Sequence, residues 1–468
     1  MTSVYFWTIL IYLAALVAVA LRTSRGVSTQ EDFSVAGRRL STFVLFGTMV
    51  ATWIGTGSIF GNAEKTYRAG IAAWILPVGA LIGIWALSRL AGRARGLCQI
   101  TIQDLLEKRY NAAARVFGVI ALVIAYTTIV SYQYRAAGAV LNLTLPELDY
   151  GHAVIIAAAF IIVYTAIAGM LSIAYIGVIQ GVTMIVGITL TLPVLFSRAG
   201  GVSGMYEQLE PSHFEIFGPI GWVEALGLLL PPFLLVLGDA NMYQRFFSAR
   251  SVGVAKRAVL WALVGIAFME FAIIVTAWVA SSLEPGLEVP GRVIAFASRD
   301  QLPMALGALM LTTIMAIVLS TAGSYLLSPA TALVRDVYQR FVNPQASERT
   351  LVILLRVMVV VLGVVAYFLS TLSDEFLSVA LLAYTIYGAA ITPALIASFY
   401  WKRATAKGAV ASIITGTGTT ILWQWVGVTG IDAVLPAIAA SVLALVVFSY
   451  LSSPPPPEKV EPFYANVE

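Results

Sequence analysis

Residues 40–63, LSTFVLFGTMVATWIGTGSIFGNA, contain no acidic or basic side chain and are long enough to cross a bilayer as a helix. Their centre is interrupted by Gly55-Thr56-Gly57-Ser58, with Gly61 beyond. Glycine is a poor helix former, and loose backbone at membrane depth is tolerated only where protein or a cavity surrounds it. The stretch reads as a crossing helix that comes apart halfway.

The rest of the chain has the same apolar character. Across 468 residues, 59% are hydrophobic and 11% charged, against about 25% charged in ordinary globular chains. That balance excludes secreted disulfide scaffolds, nucleic-acid binders and disordered proteins. The single cysteine, Cys98, cannot form an internal bridge and leaves the redox compartment unread. Other uncharged or nearly uncharged stretches cover 1–21, 69–88, 116–134, 150–197, 221–238, 258–282, 301–334, 357–371, 376–401, 408–431 and 433–451. The stretch 150–197 is long enough for two helices, with a turn near Gly169 and Met170. Thirteen spans result. The first lacks the basic start and cleavage site of a signal peptide and is kept as a mature helix.

The basic residues set the orientation. One alternate set of loops carries 21 of the 28, including Arg38, Arg95, Arg115, Arg250, Arg335, Lys402 and Lys459; the other carries Lys65, Arg68, Arg198, Arg292 and Arg299. The chain is expected in the cell membrane, multi-pass, with its N-terminus outside and its C-terminus in the cytoplasm.

Span seven carries a second interruption, Pro231-Pro232, with Gly238 beyond. Proline removes a backbone donor and crowds the preceding turn, so the break is expected at these prolines. Alone, glycine marks close packing and proline a kink. Together the two breaks lie five spans apart, each opening a five-helix half, as in transporters built on inverted repeats. The expected fold is an all-α polytopic membrane protein of about thirteen transmembrane helices with a 5+5 inverted-repeat core. Residues 1–40 form an extra N-terminal helix and loop, 41–220 the first repeat and 221–405 the second. Two C-terminal helices occupy 406–451, and 452–468, opening on Pro454-Pro455-Pro456-Pro457, reads as a disordered cytoplasmic tail.

In span nine, Ile317, Ser320 and Thr321 fall at i, i+3 and i+4 and share a face; Ala51 and Ile54 do so just before the Gly55 break. Carbonyls freed by that break and two hydroxyls would make an uncharged oxygen cage for a hard monovalent cation. Taken alone, Ser320-Thr321 is equally a packing pair or bonded to its own helix.

At these residues the chain resembles the sodium/solute symporter family, which has a leucine-transporter-type core. The similarity rests on Ser320-Thr321-Ala322-Gly323-Ser324-Tyr325-Leu326-Leu327 through Arg335-Asp336-Val337-Tyr338, and on Gly238 to Gln244-Arg245. Thr52-Trp53-Ile54-Gly55-Thr56-Gly57 and Gly61-Asn62-Ala63-Glu64 look closest to its choline-transporter branch, and Tyr164-Thr165 with Ala174-Tyr175 to Gln180 is similar to the family's hairpin. The resemblance implies a sodium ion on the carbonyls of Ala51, Ile54 and Ile317 and the hydroxyls of Ser320 and Thr321. Substrate would sit beside Thr56, Gly57 and Ser58. Many members carry an Asp where this chain has Gly177, and a hydroxyl or acid at Gly323, so a second sodium site is expected to be absent.

Arg135, in the outer part of span four, and Glu270, near the middle of span eight, are ionisable groups within spans, where burial marks function. Arg135 has three readings: a fork for a substrate carboxylate, a bridge to Glu270, or a side chain reaching the outer interface. Glu270 could otherwise be a neutral acid and supports a proton-coupled alternative. Asp239 is expected at a solvated helix end, and His152 and His213 lie too far out to relay protons. Leu228 to Leu237 lacks the polar groups a neutral sugar would need, favouring a small, partly apolar organic acid. Tyr384 in span eleven is a candidate lining residue or a packing aromatic. The expectation is therefore sodium-coupled symport of a small, carboxylate-bearing organic solute by alternating access. Its partners are that solute and the lipid bilayer, with no nucleic acid and no obligate protein partner. Alternatives are a proton-coupled or uncoupled transporter, or a polytopic membrane enzyme or sensor; the sequence shows no intramembrane metal set or Ser/His pair for an enzyme.

Overall fold

In lipid every backbone polar group must find a partner within the protein, and helices meet that demand locally. The computed structural model, which describes residues 2–373, 375–428 and 430–464, contains helices and no β-strand among those residues. In chain order the principal helices are α1 (Thr2–Ser24), α2 (Thr42–Trp53), α3 (Ala63–Ala69), α4 (Ile75–Ser88), α5 (Ala112–Thr144), α6 (Tyr150–Arg198) and α7 (Trp222–Gly238). They continue as α8 (Ala240–Ser248), α9 (Val252–Leu283), α10 (Met304–Ala332), α11 (Glu348–Ser370), α12 (Leu377–Tyr400), α13 (Ala406–Val426) and α14 (Val434–Tyr450). Their starts follow from short polar side chains that accept from first-turn N–H groups: Ser41 for α2, Asn111 for α5, Ser251 for α9, Ser347 for α11 and Thr405 for α13.

By length and apolarity alone, nine helical runs among the described residues suffice to cross a membrane, fewer than the thirteen spans expected. Part of the difference lies in how runs divide, and α13 (Ala406–Val426) is not among the nine. α6 is one 49-residue run, yet Gly169 within it has φ 64° and ψ 175°, so the helix is broken where the sequence places a turn. A Cβ at Gly169 would lie 2.9 Å from the Phe33 ring, which adds steric exclusion to the backbone requirement. α2 and α14 are shorter apolar helices of 12 and 17 residues.

α10 is the axis of the molecule. Nearly all of it from Gly307 to Ala332 is buried, and it packs on α6, α5, α1 and α2. α2 lies between α6 and α9, while α7 packs on α4 and α12. The two helices that carry interruptions thus face the packed interior.

Hydrogen bonds sort the connections into two ends. At one, Arg38 donates to the carbonyls of Gln99 and Phe247, Arg95 to Ala249, Arg109 to Lys402, Arg340 to Glu107, and Lys459 to the Glu107 carbonyl. At the other, Lys65 pairs with Glu224, Tyr67 reaches the Glu284 carbonyl, Gln301 reaches the Glu284 carboxylate, and Tyr5 donates to the Arg299 carbonyl.

Three expectations are corrected. The helix α7 runs through Pro231 and Pro232 and ends at Gly238; the interruption is at Asp239, in extended backbone (φ −63°, ψ 112°) before α8. Proline's own φ is helical, so the pair removes N–H donors without forcing the chain to turn. Asp239 is fully buried rather than solvated. The tail is ordered over Pro457–Tyr464, where a short helix buries Phe463 against Phe399 with ring centroids 5.6 Å apart.

Candidate functional site

Helix α2 ends because Ile54 leaves the helical region for extended backbone (φ −70°, ψ 102°). Helical structure resumes over Gly57–Asn62 and continues into α3. The last carbonyls of a helix have no intrahelical partner, so the break points unpaired oxygens toward α10. There Ser320 Oγ lies 2.6 Å from the Ala51 carbonyl and 2.8 Å from that of Ile317. Thr321 Oγ1 lies 3.2 Å from the Ile54 carbonyl and 3.3 Å from that of Thr52. The five oxygens expected to hold sodium therefore fall in two contacting sets on adjacent residues of α10, with the Thr52 carbonyl in the second. All of these residues are buried, with no carboxylate, thiolate or imidazole among them. A hard, singly charged cation suits such a set, since neutral oxygens can replace its hydration shell. Gly55 makes room: a Cβ there would lie 2.6 Å from Thr321 Oγ1.

Across the same break from α10 is a small cavity of about 30 Å³, whose lining includes Trp53, Gly57, Ser58, Asn62, Glu270 and Tyr384. Leu377, Ala380 and Leu381 of α12 add an apolar wall, and Leu381 also borders a larger, open pocket of about 930 Å³. A side chain at Gly57 would strike the Tyr384 hydroxyl. Of the residues expected around substrate, Gly57, Ser58 and Tyr384 share this cavity. Thr56 is turned instead toward α5, where its hydroxyl bonds the Gln133 side-chain carbonyl.

Arg135 does not line the cavity. Its Nη1 donates to the Ser370 carbonyl at 2.9 Å, and its guanidinium lies 5.7 Å from the Tyr150 ring centre. Glu270 is bound elsewhere: Ser58 Oγ donates to one carboxylate oxygen at 2.7 Å and Asn62 Nδ2 to the other at 2.9 Å. The bridge reading for the pair does not hold. Below the second break, Asp239 accepts from the hydroxyls of Tyr126 (3.0 Å) and Tyr325 (2.9 Å) and from the Met242 N–H (2.7 Å). His213 sits in a connecting turn, where burial holds its imidazole below the ordinary value.

Sequence reasoning missed Gln133, whose buried side-chain carbonyl accepts from the Thr56 hydroxyl, and the role of Asn62 beside Glu270. An amide two residues before Arg135 in an otherwise apolar helix was the available signal for the first.

Comparison with known proteins supplies the lineage. The sodium:solute symporter family matches residues 33–416. The chain belongs to that family. The symporter is 23% identical over 464 residues to the osmoregulated proline transporter of Bacillus subtilis, covering 95% of this chain and 94% of that one. It is 25% identical over 470 residues to the sodium/proline symporter of Escherichia coli, covering 96% and 93%. Among solved structures, a Na+-coupled sialic acid symporter in a substrate-bound, outward-open state superposes with a TM-score of 0.82 at 18% identity, covering 96% of this chain and 98% of that one. Its fold is therefore of the leucine-transporter type. The symporter is a multi-pass membrane protein that couples sodium to movement of a small solute, and it is not an enzyme.

Proposed function

We propose that the symporter moves a small carboxylate-bearing solute with one sodium ion per solute, by alternating access about the α2 break. What supports this is that the Ala51 and Ile317 carbonyls contact the Ser320 hydroxyl and the Ile54 carbonyl the neighbouring Thr321 hydroxyl, all buried, beside a cavity that includes Gly57, Ser58 and Tyr384. Sodium is held there by the carbonyls and hydroxyls, and the positive start of the helix that resumes after the break lies on the solute side, as in broken-helix transporters that take anionic groups. Arg135 then serves the closure of α5 against α11 rather than the solute. The curated relatives named above carry proline, which is an acid of the expected size.

The reading includes thirteen spans, with the Arg-rich end and the C-terminal tail in the cytoplasm and the N-terminus outside. Its domains are a first repeat over 41–220 and a second over 221–405. The experiment is uptake into proteoliposomes of labelled small acids, L-proline among them, with and without an inward sodium gradient. Uptake that requires the gradient and is lost in Ser320→Ala is expected. Uptake driven equally well by a proton gradient in the absence of sodium would overturn it.

A further inference from the structure

Glu270 is an unusual group to find where it is. It sits in the middle of α9, is 2% exposed, and borders the cavity beside the α2 break. Both its oxygens accept from neutral donors, Ser58 and Asn62, and no Arg, Lys or His among the described residues lies within ion-pair distance. A buried carboxylate without a cation is costly, and in a membrane such groups are retained for what they bind.

We infer that Glu270, with Ser58 and Asn62, forms the subsite for a positively charged nitrogen on the solute. The transported class is then zwitterionic, an amino or imino acid or a betaine, rather than a simple anion or a sugar. Three features favour an organic cation over a second alkali ion. The walls beside the carboxylate include Trp53 and Tyr384, whose aromatic rings are the kind that attract an ammonium, and the aliphatic side chains of α12, which offer an alkali ion no oxygen. The sodium cage already lies on the other side of the same break. The space at Glu270 is about 30 Å³, the size of one small polar group, and Leu381 separates it from the larger pocket from which a solute would arrive. The two charges of a zwitterion would then be divided between Glu270 and the resumed helix with its sodium.

This rests on the sodium symport proposed above, and the two can fail separately. Purified wild type and Glu270→Gln are reconstituted and assayed with L-proline, glycine betaine, N-acetyl-L-proline and L-lactate under an inward sodium gradient. Sodium binding is read independently from 22Na retention and from the sodium-induced rise in Tm. The glutamine keeps the shape and still accepts from Ser58. Wild type is expected to carry at least one zwitterion and to discriminate against both anions. Glu270→Gln is expected to lose affinity for that zwitterion by roughly 30-fold or more, the scale of removing one partner of a buried charged pair. Its sodium binding should be unchanged. Sodium-driven uptake of the anions with Glu270→Gln unaffected would overturn the subsite and leave the symport intact, as would sodium-driven uptake of none of the zwitterions. Loss of 22Na binding in Glu270→Gln would instead mark Glu270 as an alkali-ion ligand and would equally overturn the subsite.

Discussion

Ser320 and Thr321 each hold two oxygens of other residues in place, so their removal affects both ligand number and the shape of the break. A hydrogen bond or ligand contact to a charged group contributes about 1.5–3 kcal/mol. Ser320→Ala and Thr321→Ala should therefore each raise the sodium concentration for half-maximal uptake by roughly 10- to 100-fold. Solute affinity at saturating sodium should change little. An unchanged sodium dependence in both variants would count against the cage. Gly57 offers a second test of the same kind, based on space rather than charge. Gly57→Ala drives a methyl into the Tyr384 hydroxyl, and uptake should fall sharply. Tyr384→Phe in the Gly57→Ala background should recover part of it, since the colliding atom is that hydroxyl. A Gly57→Ala variant as active as wild type would place the solute elsewhere.

At the scale of elements, the second break depends on Asp239, which caps α8 and receives the hydroxyls of Tyr126 from α5 and Tyr325 from α10. Tyr126 in turn accepts from the Ala240 N–H. Asp239→Ala leaves a cap and two buried hydroxyls unmatched, which costs about 2–4 kcal/mol by the sum of a lost N-cap and unsatisfied polar groups. Its Tm should drop well below that of Asp239→Asn, which keeps an acceptor; equal Tm values would show that the cluster does not hold the break. This element also shows what the sequence can and cannot carry. Spacing within one helix is legible: Ile317, Ser320 and Thr321 share a face, and Gly169 marks the kink in α6. The break in span two was legible because Gly55, Gly57 and Gly61 cluster at the centre of one crossing helix, opposite a second interrupted span five helices on. The break in span seven was misplaced, because two prolines look more disruptive than an aspartate, although proline's φ fits a helix and Asp239 supplies its own cap. The partners of Glu270 lie 208 and 212 residues away, and no local pattern connects them. The tail helix was hidden by its proline start, since Val460 and Phe463 make sense only once Phe399 is seen beneath them.

For the whole molecule, sidedness can be read with the chain's own chemistry. Cys98 is the single cysteine, is exposed, and lies beside Arg38 and Arg95 at the Arg-rich end. A membrane-impermeant maleimide should label it in inside-out vesicles and not in right-side-out ones; the reverse would invert the proposed orientation. The break at Ile54–Gly57 is shared property: the Ile54 carbonyl belongs to the proposed cage, and Ser58, just past the break, reaches Glu270. Thermodynamic linkage makes such an arrangement reciprocal. Whatever factor an occupied cage adds to the grip on cargo, cargo must return to the ion in equal measure. A tight blocker that wedges Ser58 and Glu270 in their joined position would thus be a cation trap, slowing the escape of an ion it never touches.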